Sequence, residues 1–270
     1  MYKRKVPITQ IKKDIKSEII DQVLVEKPIN ILINSQSLVN IICLPKDLKQ
    51  LVIGFLYSIG AIDCIDDIKN IKIDESEINI QLEFSETTKN ISNYLKENPI
   101  SRIVDTSCGI SSPWRDIIKQ KLYSEKKKLP IEKQIEISKE NVFLALKEMQ
   151  KNTILFKETG GCHGCAIFKI EDNKLLTIME DIGRHNAIDK AIGELIIKNI
   201  PLDNVLLTTT GRLTGDVVLK AIRAKIPIVA SISAPIESGI RLAFVYGITL
   251  IGFARGSRMN IYTHPERIIL

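Results

Sequence analysis

Aromatic side chains make up only 5% of this 270-residue chain, and there is a single tryptophan. Platforms for single-stranded nucleic acid stack bases on aromatic rings set along a basic stripe, and no such stripe is present, so nucleic acid is not the expected partner. No uninterrupted apolar run reaches the roughly 18 residues of a membrane-spanning helix, and no apolar run of signal-peptide length follows the basic start Met1–Pro7. Low-complexity tracts and repeats at solenoid spacing are also missing. Cysteine is sparse and odd in number, five in all, which argues against a secreted disulfide framework and for reduced thiols. Together these absences lead to the expectation of a globular cytoplasmic protein with no membrane partner. What is present supports that expectation. A hydrophobic fraction of 44% is ample for a core, and a formal charge of +6 suits an anionic ligand or an acidic partner. The densest basic run, Lys126–Lys128, falls in a stretch that reads as a solvated linker.

The first half has an α+β pattern. Residues 29–33 and 38–44 read as a hairpin, 47–57 as a helix closed by Gly60, and 68–73 with 77–84 as a second strand pair. A short helix is expected at 89–97, a Gly/Ser/Pro loop at 101–113, an amphipathic segment at 115–123 and a charged linker at 124–133, which sets a domain boundary near Glu132. The second half alternates strands and helices. A helix over 138–149 capped by Ser138 is followed by a strand at 154–159 and by a hairpin of 165–170 with 174–179. Helices at 183–197, 215–225 and 237–246 then alternate with strands at 205–210, 226–232 and 248–253. That rhythm implies βαβ crossovers and a mostly parallel sheet, whose ligands collect beyond the carboxyl ends of the strands.

Chemistry-bearing residues crowd into 156–190. Cys162 and Cys165 have the spacing of half a zinc site or of a redox pair, but Cys43, Cys64 and Cys108 supply no second pair. On a strand Cys165 alternates with Ile167 and reads as a small core residue, whereas Cys162 and His163, in a glycine-rich turn, stay open between packing and a role at a site. Arg184, His185 and Asn186 open a helix, where backbone amides and the helix dipole favour an anion; the competing reading is a local pair of His185 with Asp189. Arg212, Lys220, Arg255 and Arg258 would each be ordinary surface charges alone. As a set near successive strand ends they point to a phosphate-bearing ligand. Cys108, with Arg102 and Arg115 near it in sequence, has the setting of an activated thiolate, and the residues alone leave it open between incidental and catalytic.

Taken in chain order, these motifs resemble the formate dehydrogenase accessory sulfurtransferase family (FdhD/NarQ). The resemblance is carried by Gly54-Phe55-Leu56-Tyr57, Thr106-Ser107-Cys108-Gly109, Phe156 with Thr159–His163, and Glu180–Lys190. It continues through Thr210-Gly211-Arg212, Ile226-Pro227 with Ser231–Pro235, and Gly252–Arg255 with Tyr262-Thr263. The family likeness implies an enzyme, a sulfurtransferase that takes sulfur from a cysteine desulfurase as a persulfide on Cys108. It would pass that sulfur to the molybdenum bis(guanylyl molybdopterin) cofactor before the cofactor enters formate dehydrogenase, and it would act as a homodimer. The cofactor, as bound substrate, is expected on Phe253, Ala254, Arg255, Gly256, Ser257 and Arg258, with Arg184, His185 and Arg212 around it. Family members commonly carry a Cys-Gly-x-Cys loop, and here Ser111 stands in the second cysteine's place, which motivates an alternative: a non-catalytic cofactor-binding chaperone for formate dehydrogenase.

The implied fold is a cytidine deaminase-like α/β domain over 133–270, a mixed sheet with covering helices, beside a smaller α+β domain over 1–132 that carries the Cys108 loop. Deaminases hold zinc with a His-x-Glu and a Pro-Cys-x-x-Cys. This chain has His185-Asn186-Ala187 and no cysteine pair in 210–215, so no zinc is expected.

Overall fold

The computed structural model describes residues 2–33, 36–74, 79–84, 103–104 and 135–270. Cys108, Arg102, Ser111 and Arg115, the expected helix at 89–97 and the segments 115–123 and 124–133 lie outside the described residues.

The chain starts with an antiparallel ribbon that its pattern does not announce, β1 (Lys3–Lys12) with β2 (Ile15–Leu24). Charged residues and Pro7 break the alternation that would mark a strand, and nearly every side chain of the ribbon is exposed. Lys13 and Asp14 both take positive φ at the tip, the backbone of a two-residue hairpin turn. At the base Tyr2 and Leu24 pack on a buried cluster of Leu44, Leu155 and Cys162, and Lys3 pairs with Glu158.

The expected hairpin follows as β3 (Lys27–Ile33) and β4 (Gln36–Cys43), then helix α1 (Leu48–Ser58), with Gly60 in the left-handed region just beyond it. β5 (Ile68–Asp74) and β6 (Asn79–Phe84) form the second pair, and β7 (Ile103–Val104), inside the stretch expected to be loop, runs parallel to β4. The five strands lie in the order β5-β6-β3-β4-β7.

In the second half β8 (Ile137–Ser138) leads into α2 (Lys139–Asn152), where Ser138 Oγ accepts the Asn141 N–H at 3.2 Å, the expected cap. Residues 154–159, expected as a strand, are instead a short helix, α3 (Ile154–Thr159). The cause is a tertiary cap: the Glu180 carboxylate accepts the Leu155 and Phe156 N–H groups at 3.0 and 2.8 Å, and Gly160 closes the turn at φ 64°.

Then come β9 (His163–Lys169), β10 (Leu175–Asp181), α4 (Arg184–Ile197), β11 (Val205–Thr209) and α5 (Gly215–Arg223). They are followed by β12 (Ile228–Ser231), α6 (Glu237–Val245), β13 (Thr249–Arg255), the unanticipated β14 (Arg258–Thr263), and β15 (Ile268–Ile269), which pairs with β8.

The six-stranded sheet runs β10-β9-β11-β12-β13-β14. Only β11–β12 and β12–β13 are parallel neighbours, so the sheet is mixed rather than mostly parallel; short hairpin turns at both sides force antiparallel pairing there. β10, β11, β12 and β13 nevertheless share a direction, and their carboxyl ends line one edge.

Strand alternation splits the core. Ala166, Phe168, Leu206, Ile228 and Ile251 face α2, while Cys165, Ile167, Leu207, Val229 and Leu250 join α4, α5 and α1 in a cluster that continues into the first sheet. The Cys165 alternation read from sequence is therefore the observed one. α1 and α4 touch backbone to backbone: a Cβ at Gly54 would lie 1.7 Å from the Asp189 carbonyl oxygen, and one at Gly193 2.0 Å from that of Gln50. No described helix is long and apolar enough to cross a membrane.

Candidate functional site

The shared edge of strand ends gathers most of the residues singled out from sequence. At its start Gly164 N–H donates to Thr210 Oγ1 at 3.1 Å, and His163 Nδ1 lies 3.1 Å from the same hydroxyl. A Cβ at Gly164 would sit 2.2 Å from the Thr153 methyl, so only glycine lets β9 pass α2's end this closely.

The Glu180–Lys190 stretch divides into scaffold and site. Glu180 caps α3. Asp181 pairs with Lys190 at 2.7 Å, both side chains fully buried, and accepts N–H groups from Leu44 and Gly183 and the Asn186 amide. Asp189 holds Lys220 through both carboxylate oxygens at 2.7 Å and accepts the Ser58 hydroxyl at 2.7 Å. Thus Lys220 belongs to a buried ion pair rather than to the ligand-facing set, and Asp189 is engaged with α1 and α5 rather than with His185. Burial pushes the Asp189 carboxyl up, against the pull of Lys220.

Arg184 and His185 are left for the edge. They open α4 behind Gly183, which offers no side-chain cap. The Arg184 stem lies across Gly211, where a Cβ would come within 2.8 Å of Arg184 Cβ. Desolvation and the neighbouring Arg212 lower the Arg184 pKa. His185 is held down to about 2, first by burial, then by Lys220, Arg184 and His163; His163 is lowered by burial, Arg184 and Arg212. The result is two guanidinium groups beside two neutral imidazoles.

This has a consequence for stability. In the unfolded chain His185 takes a proton below about pH 6.5, whereas the folded ring does not until about pH 2, so its contribution is complete above pH 6.5 and declines as pH falls. Between pH 7 and 5 the decline is about 2 kcal/mol. Urea unfolding at both pH values should show the His185→Gln variant losing that much less stability than wild type; equal losses would refute the buried neutral ring.

The other expected segment, Phe253–Arg258, lies along the same edge at the β13–β14 tip. Phe253 has φ 51° and its N–H donates to the Ser233 carbonyl at 2.9 Å; Arg255 Nε donates to Ile232 O at 2.8 Å. Left-handed backbone at an aromatic residue is strained and persists only where its surroundings impose it. Ala254, Arg255 and Gly256 form one wall of a cleft of about 480 Å3 whose other wall is α2, with Glu140, Phe143 and Lys147. Sequence reasoning missed this second wall, because α2 reads only as an amphipathic helix. Gly211, part of the Thr210-Gly211-Arg212 motif, shows only through the fold that it lies against the Arg184 stem.

The thiols separate clearly. Cys162 is buried, lies 3.7 Å from Glu180 Oε1, and is pushed up to about 12 by burial and by Glu180. Cys43 is pushed up to about 12 by burial and Asp181, and Cys165 is also raised by burial. Cys64 is exposed, in a turn with Asp63, Asp66 and Asp67. Cys162, left open by its sequence setting, is thus placed in a buried cluster, while His163 stands at the edge. Among the described residues no group of three or more His, Cys, Asp or Glu side chains could hold a metal ion.

Residues 24–269 match the profile of the FdhD/NarQ family. A protein of Sulfolobus acidocaldarius named sulfur carrier protein FdhD is 36% identical over 275 residues, covering 100% of both chains. One of the same name from Bacillus subtilis is 36% identical over 254 residues, 93% of this chain and 92% of its own. A solved structure of a formate dehydrogenase accessory protein from Desulfotalea psychrophila superposes with a TM-score of 0.78 at 25% identity, covering all of both chains.

Proposed function

The chain belongs to the FdhD/NarQ family, and on that premise we propose that it is a sulfur carrier for formate dehydrogenase maturation. The observation that carries this reading is the likeness, over the whole chain, to proteins named sulfur carriers. We further infer the finer steps. Cys108 thiolate attacks the outer sulfur of a desulfurase persulfide, the new S–S bond forms as the old one breaks, and the desulfurase thiolate leaves. The Cys108 S–S bond then breaks, its outer sulfur passing to the molybdenum bis(guanylyl molybdopterin) substrate held at the sheet edge, with Phe253–Arg258 at one place and Arg184, His185 and Arg212 at another, and Cys108 leaves as the thiolate. A homodimer in the cytoplasm is part of the same reading.

Two features support it. The buried thiols Cys43, Cys162 and Cys165 are raised in pKa and poorly suited to nucleophilic attack. The sheet edge is cationic and set at helix starts, as an anionic, phosphate-bearing substrate requires. The hairpin leading into α4 also favours the cytidine deaminase-like assignment of the second half.

The test is mass spectrometry of the protein after incubation with a cysteine desulfurase and cysteine. One added sulfur on the peptide containing Cys108 is expected; an unmodified Cys108, or sulfur only on another cysteine, would remove the persulfide step.

A further inference from the structure

The ribbon β1–β2 is exposed in a way the rest of the fold does not account for. It forms a sheet of its own, pairs with no other strand among the described residues, and packs on the body at its base through Tyr2 and Leu24. A lone two-stranded ribbon is marginally stable in water, and further strands or a covered apolar face are what make such a pair hold. This one leaves Ile11, Ile15 and Ile20 exposed at 74%, 69% and 69%.

The strand chemistry shows which edge is open. With positive φ at Lys13 and Asp14 the turn closes on the pair Lys12↔Ile15, and hydrogen-bonded and non-hydrogen-bonded pairs alternate from there. Pro7↔Ile20 and Thr9↔Glu18 are therefore non-hydrogen-bonded pairs, whose backbone groups point out from the ribbon. On β1 that outward row includes Pro7, which has no N–H to offer, so the outer edge of β1 is interrupted. On β2 the row is Lys16, Glu18, Ile20 and Gln22, and the strand has neither proline nor glycine.

β2 is also complementary to itself. Ile15, Ile19 and Val23 recur on one face of the strand. When two copies of β2 run antiparallel about a two-fold axis at Ile19, Ile15 faces Val23 of the partner subunit, Ile19 faces its own copy, and the Ser17 hydroxyl can donate to Asp21 of the partner subunit. On the other face Lys16 meets Gln22 of the partner subunit and Glu18 meets Ile20 of the partner subunit, so no like charges stand directly opposite. The next in-phase registers lose this match: one sets Glu18 against its own copy and Ile15 against Asp21 of the partner subunit, and the other sets Ile19 against Asp21 of the partner subunit. A one-residue slip turns the two apolar rows to opposite faces.

We propose that the outer edge of β2 is an interface for a second copy of this chain, paired antiparallel about Ile19 into one four-stranded sheet whose outermost strands are the two proline-interrupted copies of β1. The proposal rests on the homodimer reading above and goes further by placing its interface. A homodimer joined through another surface would overturn the interface and leave that reading standing.

Sedimentation equilibrium of the full-length protein reads the dimer dissociation constant. Glu18→Pro removes an outward N–H from β2 while leaving the β1–β2 ladder its bonds, and should raise that constant on the order of a hundredfold. Thr9→Pro, at the other end of the same cross-strand pair, removes an outward N–H from the edge already interrupted by Pro7 and should change it by less than about twofold. Because either proline could loosen the ribbon, a cross-link gives an independent reading. Ile19 spends its backbone bonds on Ile8, so Ile19 and its copy form a non-hydrogen-bonded pair with Cα atoms about 4.5 Å apart, within reach of a disulfide. In a chain carrying Cys64→Ser and Cys108→Ala, Ile19→Cys treated with oxidised glutathione should give a covalent dimer, two thiols forming one disulfide as the oxidant leaves as two reduced glutathiones. Ile11→Cys, exposed on β1, should take up glutathione instead. A dimer insensitive to Glu18→Pro, one weakened equally by Thr9→Pro, or cross-linking no better at position 19 than at 11 would place the interface elsewhere. A wild-type chain monomeric at every concentration would overturn the interface and the homodimer together, and a monomer whose binding to formate dehydrogenase falls in Glu18→Pro would assign the edge to that partner instead.

Discussion

Replacing Cys108 by alanine is expected to abolish maturation of formate dehydrogenase in a strain that depends on this protein, while Cys64→Ser and Cys162→Ser retain most of it. The contrast follows from ionisation. At pH 7.5 an ordinary cysteine with a pKa near 8.5 is about 10% thiolate, whereas one held near 12 is on the order of a few parts in 100,000. Cys162 and Cys43 fall in the second class, because taking a thiolate out of water beside Glu180 or Asp181 is unfavourable in both solvation and charge. Cys165, on the interior strand β9 with its side chain in the core, has no exposure at all. Cys64 is exposed but surrounded by three aspartates, which repel an incoming anionic persulfide. Accessory maturation assays of the three variants, each checked for folding by circular dichroism, decide the matter. Full maturation by Cys108→Ala would favour the chaperone reading, in which the protein holds the cofactor without carrying sulfur.

The parts of this molecule that were legible in advance are those governed by local pattern. The hairpin β3–β4, helix α1 and the sequence β11-α5-β12-α6-β13 follow from period-2 and period-3.6 hydrophobic spacing, and the Ser138 cap from its position before an acidic turn. Where partners lie far apart in the chain, the pattern misled. Ile154-Leu155-Phe156 has strand composition, but Glu180, two dozen residues on, imposes a helical turn. The ribbon β1–β2 has too little apolar alternation to be read, because it packs only at its base. The site shows the same division. Arg184 and His185 were recognisable at a helix start and Arg212 near a strand end, whereas the unpartnered state of Arg184 Nε among the described residues exists only in three dimensions. Lys220 was misassigned for the mirror-image reason: its sequence position near a strand end says nothing of the buried Asp189 that takes it.

Asp181→Ala is expected to be the most destabilising single substitution at this edge, at about 3–5 kcal/mol, because it leaves the Lys190 ammonium buried without its counter-charge. The remaining partners of that ammonium, the Leu44 and Glu180 carbonyls at 3.1 and 3.4 Å, cannot neutralise it. The same change frees the Leu44 N–H, the Gly183 N–H and one Asn186 donor, so the connection between β4 and α1 loses its tie to the start of α4. Pairing the change with Lys190→Met should recover a large part of the loss, since the desolvated charge is then gone, and a double-mutant cycle in urea should give a coupling of about 2 kcal/mol or more. Function provides the second readout. If Asp181 is what orients the first turn of α4 at the sheet edge, the double variant regains stability but not maturation of formate dehydrogenase, because a methionine packs the space without orienting Gly183 and Asn186. Additive losses in the cycle would show that Lys190 finds another partner, and restored maturation in the double variant would show that α4 is held in place by its packing against α1 alone.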